Sequence, residues 1–152
     1  MAQVLKQRIA DDTKAALLGG DRFRAEVLRG LKAAILNEEV AQGKRGEGLG
    51  EAGVESIIAR EVKKRTESIR LYESNGRPEL AESEKLEVGV LQEYLPQQLS
   101  ESEVIHVVEQ TIDEMGATGM QSMGLVIKAV KEKVGNTADG AMVARTVKEK
   151  LQ

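Results

Sequence analysis

An all-α chain is predicted by three properties of the sequence. Apolar residues make up 41% of 152 positions, enough to fill one ordinary core or two small ones. Aromatics are limited to Phe23, Tyr72 and Tyr94, so the core must be built from Leu, Ile, Val, Ala and Met. Leucine and alanine favour helices, and apolar residues recur every three to four positions along most of the chain.

The elements follow in order. Leu5, Ile9 and Ala16 lie near a 3.6-residue repeat, with Leu17 and Leu18 before the breaker Gly19-Gly20. Asp21 offers an oxygen to cap a second helix, whose stripe of Phe23, Val27, Leu28, Leu31, Ala34 and Ile35 runs to about Ala41. Between Gly43 and Gly53 the run at residues 43–50 holds too many glycines for a helix, at about 1 kcal/mol each against alanine, and a mobile loop is expected there. A third helix carries Val54, Ile57, Ile58, Val62, Ile69 and Tyr72, and stops at Asn75-Gly76. Pro78 suits the first turn of a fourth helix, which carries Ala81, Val88, Leu91 and Leu95 and ends before Pro96.

Ser100 and Glu103 fit a capping box that starts a fifth helix with Val104, Val107, Val108, Thr111, Ile112 and Met115 on its apolar face. Gly116 ends that helix. Two more follow near residues 121–134 and 140–151, stopped and capped by Gly135 and Asp139. The domain boundary is placed after Pro96, giving an N-terminal helical domain over 1–96 and a three-helix tail over 97–152. A tail of that size buries only about 60% of its unfolded-chain surface, so it is expected to lean on the fourth helix or on a partner.

Several classes are excluded on residue content. No apolar run approaches the roughly 18 residues of a membrane span, and Met1-Ala2-Gln3-Val4-Leu5-Lys6 lacks an export signal's apolar segment, so a cytoplasmic protein is expected. The absence of cysteine removes disulfides and thiolate chemistry, and one histidine makes a histidine metal site improbable. No cofactor or metal is expected. The glycine-rich loop is preceded by no strand and ended by no Gly-Lys-Ser/Thr, so it is not a phosphate-binding P-loop. His106 is read as half-buried or capping, and the methionines at 115, 120, 123 and 142 as core filler.

Charge is informative by segment. The net charge is −3, yet residues 97–114 carry five acids and no Lys or Arg, while the tail's six cations, Lys128, Lys131, Lys133, Arg145, Lys148 and Lys150, all lie on its last two helices. Lys128 and Lys131, three apart, can meet adjacent phosphates. A second cluster, Arg60, Lys63, Lys64 and Arg65, sits on the third helix. Its simpler reading is a solvated face partly neutralised by Glu61 and Glu67.

The chain resembles the YqeY family, whose helical domain also forms the tail of the B subunit of the tRNA-dependent amidotransferase. The resemblance rests on Asp11, Lys14, Asp21, Arg22, Leu28 and Arg29, on Arg60-Glu61-Val62-Lys63-Lys64-Arg65, and most closely on Glu87, Leu91, Tyr94-Leu95-Pro96, Gln98-Leu99-Ser100 and Glu103. Near the end Met123-Gly124, Lys128, Gly135 and Ala138-Asp139-Gly140 fit it. Asn136-Thr137 departs from the family's turn, which is one residue shorter and carries an arginine.

The resemblance implies a two-part helical protein with a tRNA-directed tail. Transamidation needs an amidase and a site that activates the tRNA-linked carboxylate, and this chain shows neither signature. The expected function is a non-catalytic module binding tRNA or a tRNA-handling complex through Lys128, Lys131 and Lys148, with Gly124 allowing close approach. DNA is not an expected partner. The alternative is a helical protein-interaction adaptor, and the third reading, invited by the family, is a component of a carbon-nitrogen ligase that uses glutamine as amide donor.

Overall fold

The computed structural model describes residues 4–152; Met1, Ala2 and Gln3, on which part of the export-signal reading rests, lie outside the described residues. Among the described residues the architecture is all-α, as the sequence predicts, with seven α-helices and two short 3-10 turns. The chain divides into two compact units, Met1–Leu95 and Pro96–Gln152.

The first unit holds α1 (Val4–Leu18), α2 (Arg22–Ala41), α3 (Gly50–Ser74) and α4 (Pro78–Gln92), paired as the hairpins α1–α2 and α3–α4. Asp21 caps α2 as expected, accepting from the Arg24 N–H at 3.1 Å. Leu5, Ile9, Val27, Leu28, Leu31, Ile35, Val54, Ile57, Ile58, Leu91 and Tyr94 form the core. Phe23, placed on the apolar stripe by its spacing, is 41% exposed instead. It sits in the first turn of α2, where Ala25 takes the buried place.

Helix α3 begins at Gly50, earlier than its glycines suggest. Leu49 packs partly on the core, and a Cβ on Gly53 would come within 2.8 Å of the Leu49 Cβ. The two residues thus fit only because position 53 has no side chain, and this packing outweighs the helix penalty of glycine. Glu51, in the first turn of α3, accepts the Leu5 N–H at 2.9 Å and so satisfies an end group of α1.

Glu61 of α3 is buried and held by Arg65 at 3.1 Å and Lys64 at 3.2 Å. Burial pushes its carboxyl up, but the hydrogen bonds from Arg65 and Lys64 outweigh burial and hold it below the ordinary value of 4.5. A carboxyl depressed in the fold stabilises it above the unfolded value and loses that contribution as pH falls through the folded one. Glu61→Gln is therefore expected to flatten the loss of first-unit stability below about pH 4.5. Urea midpoints at neutral and acid pH measure this; equal acid losses in wild type and variant would break the link.

The second unit holds α5 (Glu101–Met115), α6 (Met123–Val134) and α7 (Gly140–Leu151), with 3-10 turns at Met120–Ser122 and Gly135–Thr137. Its core is nearly all valine: Val104, Val108, Val126, Val130, Val134, Val143 and Val147, closed by Leu151. Met123 and Met142 pack partly against it, whereas Met115 and Met120 are 43% and 41% exposed and do not act as core filler. The segment entering α5 is fixed by the Leu99 N–H donating to the Thr137 carbonyl at 2.7 Å and by Gln98 donating to the Asn136 carbonyl at 3.0 Å.

Ser100 Oγ accepts the Glu103 N–H at 3.2 Å and donates to the Glu103 carboxylate at 3.1 Å. The pairing of the capping box is present, although Glu103 returns to the hydroxyl rather than to the Ser100 N–H. Ser100→Ala is expected to cost the second unit about 1 kcal/mol, read from hydrogen exchange of α5 amides; unchanged protection would refute the cap's role. Gly116 takes the left-handed conformation at φ 61° and ends α5 as expected.

Candidate nucleic-acid interface

Helices α6 and α7 pack on one another, and both pack on α5. Their buried residues, Val126, Val130 and Val134 on α6 with Val143, Thr146, Val147 and Leu151 on α7, fix which side chains face water. Lys128, Lys131, Lys133, Arg145, Lys148 and Lys150 are all exposed, but they fall into two sets.

Lys133 and Lys150 turn towards the acidic helix α5. The Lys133 ammonium donates to Thr111 at 3.0 Å and to Glu114 at 2.7 Å, and Lys150 lies 3.7 Å from Glu109. Lys128, Lys131, Arg145 and Lys148 form no ion pair among the described residues. Lys128 and Lys131 are three apart on α6, and Arg145 and Lys148 three apart on α7, so each pair shares one side of its helix. The tail of Lys131 crosses to α7: its Nζ lies 3.5 Å from where a Gly140 Cβ would stand.

Asp139 occupies the N-cap position of α7 as expected, but its side chain makes no capping hydrogen bond. The first-turn N–H groups of α7 are therefore not satisfied by it, beside the Lys131 ammonium. The acids Glu132, Asp139 and Glu149 are exposed among the same residues, so the positive field is local and short in reach.

Gly124, in the first turn of α6, is exposed, and a Cβ there would meet no atom within 4 Å. Tight helix packing is thus not the reason for this glycine. Leu125 beside it is 66% exposed. His106 is exposed on α5, not half-buried, because the buried arc of that helix runs through Val104, Val108 and Thr111.

The cluster on α3 is different in kind. Arg60 reaches Glu38 at 3.4 Å, Lys64 and Arg65 hold Glu61, and Arg65 Nε lies 3.7 Å from Glu87 without a hydrogen-bond partner. Lys63 is the member left exposed without an ion pair. Arg60 and Arg65 tie α3 to α2 and α4 while Lys64 pairs within α3, so three of the four are already committed within the unit.

A charged network that sequence reading missed surrounds Tyr94, just after α4. The Tyr94 hydroxyl donates to Asp12 at 2.6 Å and accepts from Arg24 at 2.9 Å. Arg24 also pairs with Glu93 at 2.6 Å, and the Arg8 guanidinium lies 4.6 Å from the ring centre. Arg8 and Asp12 are one turn apart on α1, a spacing visible in the sequence. Their meeting with Arg24 and Tyr94 depends on tertiary packing.

Together these features define a class: a helical protein of two units, with a largely paired cation cluster on α3 of the first and four cations free of ion pairs on the last two helices of the second. Among the described residues no cluster of His, Cys, Asp or Glu is placed to hold a metal ion, and no helix is long and apolar enough to cross a membrane. Residues 6–151 match the family described as Yqey-like protein, and the chain belongs to the YqeY family.

It is also similar to the protein named "Altered inheritance of mitochondria protein 41, mitochondrial" of Lachancea thermotolerans, at 32% identity over 107 residues, covering 68% of this chain and 56% of that protein. The proteins of the same name from Eremothecium gossypii and Kluyveromyces lactis are 32% and 29% identical, each over 57% of this chain, and 46% and 45% of their own lengths are covered. The chain thus spans about half the length of the curated relatives it matches. Their names place them in mitochondria, which gives the cytoplasmic expectation no support.

Proposed function

We propose that this chain is a non-catalytic module that binds tRNA, alone or within a tRNA-handling complex, through the free cations of α6 and α7. The observation that carries the reading is the sorting of the second unit's cations. The acids of α5 take up Lys133 and Lys150, leaving Lys128, Lys131, Arg145 and Lys148 for an outside anion. Ammonium and guanidinium groups spaced one turn apart suit successive phosphates, and such contacts hold a backbone without reading its sequence.

Arg145 joins the set because of its placement beside Lys148. The cluster Arg60, Lys63, Lys64 and Arg65 is left out, since most of its charge is already paired. Gly124 remains part of the proposed surface as open ground beside α6, where a backbone can approach without meeting a side chain. The reading requires only an aqueous compartment that holds tRNA.

The experiment is binding of labelled total tRNA to the whole protein, wild type against Lys128→Glu/Lys131→Glu. Binding by the wild type that the variant loses supports the module. Equal binding by both proteins would remove α6 from the interface.

A further inference from the structure

A cavity of about 280 Å³ opens between α1 and α2 of the first unit. Ile9, Ala33 and Leu36 give it an apolar lining, which Lys6, Glu39 and Lys32 complete. Leu36 is 42% exposed although it lines this space, so apolar surface stands open to water. The charges there do not cancel. Glu39, 1% exposed, is neutralised by the Lys6 ammonium at 2.7 Å, while Lys32 is exposed and forms no ion pair among the described residues.

A ligand complementary to this space needs an apolar body and one negative charge. A polyanion would waste the apolar lining, and a cation would meet Lys32. The size is also limiting: if a methylene takes roughly the ~30 Å³ of a liquid water molecule, the space holds a chain of about nine carbons. A peptide helix would anchor over three turns at i, i+3 or i+4 and i+7. The lining residues span only Lys6 to Ala10 on α1, little more than one turn.

We propose that the α1–α2 cavity binds a free medium-chain acyl carboxylate, with the chain against Ile9, Ala33 and Leu36 and the carboxylate at Lys32. The Lys6–Glu39 pair stays closed, because drawing Lys6 away would leave a buried carboxylate without its partner.

The test is methyl NMR of the full chain titrated with decanoate below its micelle concentration, with decanol and decyltrimethylammonium as controls. Decanoate is expected to shift the methyls of Ile9, Ala33 and Leu36 with millimolar half-saturation, and both controls to bind about fivefold more weakly or less. Lys32→Glu should weaken decanoate by a similar factor, and Ala33→Leu, which fills the space from an exposed helix position, should abolish the shifts. Three outcomes overturn the proposal: no decanoate shifts at millimolar concentration, equal binding of all three amphiphiles, or shifts unchanged in Ala33→Leu. Co-sedimentation with anionic lipid vesicles in the absence of decanoate shifts would assign this face to a membrane surface and overturn it as well.

Discussion

Tyr94→Ala is expected to destabilise the first unit by about 3–5 kcal/mol, the range found when a buried aromatic side chain is deleted. The ring is 3% exposed and packs with the core that includes Leu5, Ile9, Leu28 and Leu91. Its removal opens a cavity and also frees Asp12 and Arg24 from the hydroxyl they share. Tyr94→Phe keeps the ring and should cost only about 1 kcal/mol, because Asp12 is partly exposed and water can replace the lost donor.

The two variants differ at high pH as well. Burial first, and the bond to Asp12 second, push the Tyr94 hydroxyl up to about 12 from its ordinary 10.0. A raised value means stability that is complete below the unfolded value and is lost as pH climbs through the folded one. Wild type should therefore lose stability between about pH 10 and 12 in a way Tyr94→Phe does not. Urea unfolding of the three proteins decides the point. A Tyr94→Ala loss under about 1 kcal/mol, or one no larger than that of Tyr94→Phe, would contradict the packing role of the ring.

Lys128→Glu/Lys131→Glu is expected to weaken tRNA binding by about a hundredfold near 50 mM salt, since each lost phosphate contact forfeits the release of about 0.9 of a counterion. Both side chains are exposed and unpaired, so the folded state should change by no more than about 0.5 kcal/mol. Lys150→Ala is the matched control, because that cation already faces Glu109 and should matter little to an outside phosphate. A loss of binding in Lys150→Ala equal to that in the double variant would point to general charge rather than to a defined face.

Much of the fold was legible because local rules and packing agree. Asp21, Asn75-Gly76, Pro78, Ser100, Gly116 and Gly135 each mark a helix end through their own backbone or side-chain chemistry. Phe23 misled because spacing alone does not reveal which members of an apolar stripe the neighbouring helices cover, and Ala25 is buried in its stead. The start of α3 was hidden because glycine content argued for a loop, while the fit of Leu49 against Gly53, one turn on, matters only because Leu49 packs on a core drawn from other helices.

The candidate site divides along the same line. Which residues of α6 and α7 are cations can be read directly, as can the concentration of acids on α5. That Lys133 and Lys150 are taken up by those acids, leaving four cations free, depends on how three helices turn against each other. The Lys6–Glu39 pair, separated by 33 residues, is still less accessible to sequence reading, because hydropathy assigns a buried glutamate to the surface.

The most direct test of the tRNA reading is the salt dependence of total-tRNA binding to the full chain between about 50 and 200 mM. Contacts from Lys128, Lys131, Arg145 and Lys148 predict a slope of log affinity against log salt near −3.6, hence about a hundredfold loss over that range, and a slope smaller by about 2 in Lys128→Glu/Lys131→Glu. Absence of binding at 50 mM, or binding that barely responds to salt, would contradict the phosphate-contact account.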